Sequence, residues 1–162
     1  MKNEFIPESL YRKILAVMPV PCADAVIVNR KAFLLGKRTR EPDKGKWWLV
    51  GGRIVKGETR EKAVVRKVRE ETGFSRVKVE KELWSSETMF KNSFQGPPSH
   101  TIGTVYLVSV PSRTVPRANE DFHDAFRWFT KIPPGLHPYV TESLRKAGFS
   151  MEKSGRKRRK TA

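Results

Sequence analysis

The sequence predicts an α+β domain, an α/β/α sandwich built on a mixed β-sheet. Helical and extended segments interleave along the chain, and hairpin-like pairs of strands occur among them. At 162 residues, 38% of them hydrophobic, the chain is long enough to bury one core and is not a disordered composition. Residues 1–150 are read as a single domain, followed by a basic tail at 151–162.

The elements follow in order. Residues 4–17 read as a short amphipathic helix, with Ile6-Pro7 marking its start and Pro19 and Pro21 its end. Residues 23–29 are rich in β-formers, and Asn29-Arg30-Lys31 turns them into a second strand at 32–37. A polar loop at 41–46 leads to a short apolar strand at 47–50, which runs into Gly51-Gly52. Thr59 caps a helix that continues to Thr72 and stops at Gly73. Val64 and Val68 share one face of that helix. Residues 77–90 read as extended chain broken at Ser85-Ser86, and 91–99 as a loop. Strands are expected at 101–110 and 126–130, and a last helix at 139–147 that Gly148 ends.

Charge and cysteine use narrow the setting. The formal net charge is +16, from 33 Lys+Arg against 17 Asp+Glu. Lys153, Arg156, Lys157, Arg158, Arg159 and Lys160 crowd the last ten positions, yet the chain without them is still strongly basic. Such a field attracts nucleotides, phosphorylated sugars, nucleic acid or an acidic membrane, and does not choose among them. The tail reads as a solvated run; nucleic-acid binding through it is the less favoured reading. Cys22 is the one cysteine, so no internal disulfide is expected and a cytoplasmic setting fits. The longest apolar candidate, 17–28, carries Pro19, Pro21 and Asp24, which excludes a membrane helix. The N-terminus lacks the basic-then-apolar pattern of a secretory signal.

Residues 51–74 carry the chemistry. Gly51-Gly52 lets backbone approach a ligand closely, and Gly57 permits a second sharp turn. Lys67, Glu70 and Glu71 share one helix face at i, i+3, i+4 spacing. With Glu58 nearby, the acids make an oxygen-rich cluster suited to Mg²⁺ or Mn²⁺. Ordinary ion pairing, Arg66 with Glu70 and Lys67 with Glu71, is the competing reading.

The stretch resembles the Nudix box, G-x5-E-x7-R-E-U-x-E-E-x-G-U. Gly52, Glu58, Arg66, Val68, Glu70, Glu71, Gly73 and Phe74 fall in register, and Lys67 stands at the pattern's first glutamate. The resemblance implies the Nudix fold and Mg²⁺-dependent hydrolysis of a nucleoside diphosphate linked to another group. Lys67 leaves three readings: loss of activity, a shifted metal site with fewer ions, or different chemistry.

Further residues are similar to the GDP-mannose mannosyl hydrolase branch of that family. They are Phe33–Thr39, Pro42, Gly45, Trp47, Arg53, Lys56, Asn92, Phe94, Gly96 and His100, with His123-Asp124 and Phe126-Arg127-Trp128. That branch also lacks the first glutamate. There, water attacks the sugar's anomeric carbon, and a nucleoside diphosphate leaves. The resemblance implies His123 as general base and Arg38 and Arg53 as stabilisers of the departing diphosphate. It implies Arg66 orienting the box or touching the diphosphate, and Asp24 positioning the leaving group or base. Gly51 (by its carbonyl) and Glu71 would ligate Mg²⁺, with Glu70 an additional ligand. Phe122 replaces a polar metal ligand of the bacterial enzyme, leaving Asp121, Glu120, Glu70 or water as substitutes. Thr101 replaces a tyrosine that contacts the leaving group. A homodimer is expected by resemblance alone.

Two rival functions stay open. One is a P–O-cleaving pyrophosphohydrolase, favoured by retention of both Glu70 and Glu71. The other is a Nudix-fold nucleotide- or RNA-binding module with Lys67 disabling catalysis. Residue by residue, Arg38 pairs with an acid or with substrate, and Asp24 needs a structural or a substrate partner. His123 is either a base or a hairpin histidine. Trp47, Trp48 and Trp128 read as core aromatics, one of them able to stack on a base.

Overall fold

A computed structural model describes residues 6–119 and 121–152. Glu120 and the basic run at 153–162 lie outside the described residues. Helix α1 (Glu8–Val17) follows Pro7, its N-cap. Ile6 precedes a proline and is pushed out of the helical region, so the helix starts at Glu8 and not at residue 4.

Strands β1 (Val20–Asn29) and β2 (Ala32–Arg38) form the expected hairpin, in which Asn29 faces Ala32 and Ile27 faces Leu34. Arg30 takes the left-handed conformation at the turn, with φ 55°. The single strand expected at 47–50 is two: β3 (Trp47–Trp48) pairs with β2, and β4 (Val50–Arg53) pairs with β1. Leu49 is where the chain changes neighbour, and Gly51-Gly52 sit inside β4.

Helix α2 (Arg60–Thr72) is capped as its sequence requires. Thr59 Oγ1 accepts the Lys62 N–H at 3.2 Å, and Gly73 closes the C-terminus at φ 75°. Strand β5 (Lys78–Phe90) runs through Ser85-Ser86 without a break; its irregularities lie at Val79/Lys81 and Glu82/Trp84. Ser85 Oγ meets Thr104 Oγ1 at 3.0 Å across the strands, which satisfies a hydroxyl that the sequence alone marks as a breaker. Strand β6 is Ser99–Ser109. Strand β7 (His123–Phe129) begins before residue 126, because its pairing with β2 continues to Arg38↔His123. Helix α3 (Pro138–Lys146) is capped by His137, whose Nδ1 accepts the Tyr139 N–H at 3.2 Å.

The sheet is mixed. β6 runs parallel along one edge of β1. The other edge is shared, β4 taking Cys22–Ala25 and β2 taking Ile27–Asn29. β5 extends the sheet beyond β6, while β3 and β7 flank β2. Residue alternation along β1 sorts the two faces. Ala23, Ala25 and Ile27 pack with Ala63, Val64 and Val68 of α2. Val26 packs with Phe33, Leu35, Val105 and Leu144 on the α3 side. Fully burying each valine, isoleucine, leucine or phenylalanine among them is worth about 1.5–3 kcal/mol, so these two faces hold the sandwich. Asp24 alternates with Ala23 and Ala25 and therefore points to the α3 side. Ile132 and Met151 form a parallel bridge, which ties the chain to the body as far as Glu152.

Candidate active site

A cleft of about 300 Å³ opens beside β1 and α2. Asp24, Arg38, Arg53, Lys67, Glu71 and His123 line it, each brought by a strand or helix of the core. The expected ligand Gly51 lines it too. The other expected residues stand elsewhere: among the described residues, neither Arg66 nor Glu70 lines the cleft.

The spacing of α2 explains the division. Lys67 and Glu71, four apart, face the cleft together, with Lys67 Nζ 2.7 Å from Glu71 Oε1. The same ammonium is 3.6 Å from Glu70 Oε2. Arg66 turns away and binds both oxygens of Glu58, at 2.8 and 2.9 Å, together with the Arg53 carbonyl at 3.1 Å and Glu70 at 3.1 Å. Of the two roles expected for Arg66, orienting the box is the one this geometry suits. The Arg66 guanidinium holds the Glu58 carboxyl below the usual carboxylate range.

Glu71 is committed on both oxygens. Oε2 lies 2.8 Å from His123 Nε2, and both side chains are buried, at 3% and 5% exposure. Two lone pairs that close repel, so a proton must lie between them. With that proton on Nε2, the neutral ring's lone pair is on Nδ1, which is buried and unpartnered. The ring packs on Gly36, where any Cβ would collide with it. Glu71 and His123 are thus one acid–base unit, held from α2 and β7.

Asp24 has the structural partner its burial demands. Tyr139 Oη donates to its Oδ2 at 2.6 Å. Gly51 and Gly103 leave the space for this pair: a Cβ on Gly51 would strike the carboxylate, and one on Gly103 would lie 2.6 Å from Tyr139 Oη. Burial pushes the Asp24 carboxyl up to about 6, against the lowering effect of the Tyr139 hydrogen bond. Burial, with Asp24 alongside, likewise raises the Tyr139 hydroxyl. Tyr139 was not marked by any motif; the one signal for it was the need of a carboxyl in an apolar strand for a donor.

Arg38 and Arg53 are the cleft's available cations. Among the described residues neither makes an ion pair within 4 Å, and Arg38 Nε is buried without a hydrogen-bond partner. Burial lowers the pKa of Arg38, although Asp24 and Glu71 oppose this. The Arg38 guanidinium lies over the Trp48 ring at 5.4 Å, and Arg53 over Tyr11 at 5.3 Å. At the rim, Arg40 is taken by Asp121 at 2.8 Å, which leaves Asp121 exposed and paired.

Comparison with known proteins identifies this architecture. The NUDIX domain model matches residues 18–133. The chain belongs to the Nudix family. This Nudix chain is 32% identical to the low-salt glycan biosynthesis protein Agl8 of Haloferax volcanii over 141 residues, 86% of the chain and 88% of that protein. It is 36% identical to an ADP-ribose pyrophosphatase of Methanocaldococcus jannaschii over 97 residues, covering 59% of the chain and 54% of that protein. Among solved structures it superposes on a MutT Nudix hydrolase from Burkholderia pseudomallei with TM-score 0.62 and 30% identity, covering 80% of the chain and 98% of that structure. The mixed sheet between helices is the fold that the Nudix-box resemblance implies, and the hydrolase assignment rests on the same matches.

Nudix hydrolases generally use a divalent metal such as Mg²⁺. The expected ligands here do not fit a protein-held ion as they stand. Both Glu71 oxygens are engaged, one by an ammonium, and Glu70 Oε2 lies between Arg66 and that same ammonium. Among the described residues, no group of three His, Cys, Asp or Glu side chains is arranged to hold an ion. Phe122 offers no oxygen; its ring lies 4.5 Å from Lys67 Nζ.

Proposed function

We propose that this Nudix hydrolase acts on a nucleoside-diphosphate sugar of the GDP-mannose kind, cleaving the glycosyl C–O bond to give a nucleoside diphosphate and free sugar. One observation carries the reading: two arginines with no ion-pair partner among the described residues, Arg38 and Arg53, share a cleft with the buried Glu71–His123 unit. The arginines suit a diphosphate, whose charge grows as it departs. The Glu71–His123 unit suits a proton taken from water. In the reaction, water oxygen bonds to the anomeric carbon, and the C–O electron pair leaves with the diphosphate. The water proton passes to the Glu71–His123 unit. Trp48 and Phe90, which line the same cleft, offer an apolar wall for a base or sugar ring. The similarity to a glycan biosynthesis protein supports a sugar-bearing substrate. Mg²⁺ is the cofactor the family resemblance implies; the proton transfer and the two arginine contacts use only side chains of this chain.

A P–O-cleaving pyrophosphohydrolase is the second reading, favoured by the similarity to an ADP-ribose pyrophosphatase and by retention of both Glu70 and Glu71. Hydrolysis of GDP-mannose in ¹⁸O-water separates the two. Label in mannose beside unlabelled GDP is the expected result. Label in GMP or mannose phosphate would replace the first reading with the second. His123→Gln is expected to cut kcat by about a hundred-fold or more with little change in KM; near-normal kcat would remove His123 from the mechanism.

A further inference from the structure

Lys67 is the least expected charge in the cleft, and its surroundings are built for it. Its side chain is 11% exposed. Its stem passes Gly52, where a Cβ would stand 3.2 Å from Lys67 Cε and press it aside. Gly52 has φ 149°, a conformation that side chains rarely take, so the clearance is secured by the backbone itself. The ammonium then finds Glu71 Oε1 at 2.7 Å, Glu70 Oε2 at 3.6 Å and the face of Phe122 at 4.5 Å. A carboxylate, a second carboxylate and an aromatic face make a site for a monovalent ammonium. Phe122 has no lone pair to give a hard divalent ion, whereas its ring attracts an ammonium.

We infer that the Lys67 ammonium is the cleft's resident cation, occupying the position of a protein-bound divalent ion, and that it contacts the diphosphate directly. The contact with a diphosphate rests on the function proposed above; the exclusion of a divalent ion does not. An ion bound to Glu71 Oε1 would lie within a few ångströms of a fixed positive charge in a largely buried place, where that repulsion is poorly screened. Glu71 also cannot turn aside to receive such an ion without releasing His123. Lys67 therefore supplies without metal the positive charge that a departing diphosphate needs.

Two measurements on the full chain test this. The first uses Mn²⁺ alone, followed by the free-ion electron paramagnetic resonance signal, with no nucleotide present. The wild-type chain is expected to leave the signal of sub-millimolar Mn²⁺ unchanged, and Lys67→Glu to deplete it. Depletion by the wild type, to the stoichiometry of the chain, would overturn the inference whatever the substrate is. The second is calorimetric binding of GDP in EDTA and in Mg²⁺. The wild type is expected to bind GDP in EDTA, Lys67→Arg to keep most of that affinity, and Lys67→Met to lose about ten- to a hundred-fold, as for one charge-assisted contact. Binding in Mg²⁺ but not in EDTA would overturn the direct contact. Failure to bind GDP in either medium would overturn the nucleotide part, and the Mn²⁺ result would still decide the exclusion. Because both wild-type arms need no substitution, a variant that fails to fold does not shield the inference.

Discussion

Replacing Asp24 by asparagine should make the protein more stable at neutral pH and leave it unchanged in acid. Asp24 lines the cleft with its carboxyl against Tyr139 Oη, and burial raises its pKa from 3.8 to about 6. An unfolded chain releases this proton near 3.8, the folded one near 6. Between those values the folded state holds more protons, so stability falls as pH rises from about 4 to about 6 and is level above. At about 1.36 kcal/mol per pH unit, the loss at pH 7 is about 3 kcal/mol. Asparagine keeps the shape and can still accept the Tyr139 hydrogen bond, and it carries no charge to desolvate. Urea unfolding of both proteins at intervals from pH 4 to 7.5 gives the difference curve. That curve should rise by about 3 kcal/mol across the range, equivalent at neutral pH to about 6–12 °C in Tm for a chain of this size. Wild type and variant profiles that run parallel would refute the account of a buried, costly carboxylate. The same variant is expected to lose turnover, because a group retained against stability in a cleft wall is one that function requires.

Two more outcomes follow from the same geometry. Gly36→Ala should drive the His123 ring off Glu71, since its Cβ falls on that ring. The expected result is a kcat about a hundred-fold or more lower, with a stability loss of about 1–3 kcal/mol from overpacking, read by kinetics and by urea unfolding. Normal kcat would show that His123 can work from another position. Arg66→Met should cost about 2–3 kcal/mol at pH 7, because it strips Glu58 of a two-pronged charged contact. The Glu58 carboxyl is held below its ordinary value, so its share of stability is present above about pH 4.5 and is lost as pH falls through the lowered folded value. Urea unfolding at pH 3 should therefore show a smaller penalty than at pH 7; an equal penalty would mean that the Arg53 carbonyl contact, and not Glu58, carries the effect.

Much of this architecture was legible in the chain because local chemistry and tertiary packing agree. Thr59 and Gly73 mark the ends of α2 by caps that need no neighbours, and Val64 and Val68 mark its inner face by spacing alone. The box register likewise brought Lys67 and Glu71 under suspicion before any contact was known, and the resemblance to one branch of the family added His123. What stayed hidden depends on cross-strand partners. The strand at 47–50 divides because its two halves hydrogen-bond to different strands, a fact absent from its own residues. β5 survives Ser85-Ser86 because Thr104 on β6 meets the hydroxyl. His123 lies within β7, where the pairing to Arg38 draws it in, and the expected strand began later. The separation of Arg66 and Glu70 from the cleft was also out of reach, since helix phase says which residues share a face and not which face meets the cleft. Tyr139 was missed for the plainest reason: it is 115 residues from Asp24 in sequence.

The lysine on α2 has a consequence in the genetic code. Codons for lysine and for glutamate differ at the first base alone, so one transition converts position 67 from an ammonium to a carboxylate. A carboxylate at 67 would face Glu71 and Glu70, which the ammonium now neutralises, and would require a cation from solution between them. A cleft that carries its own positive charge and one that must import it are thus adjacent in mutational space.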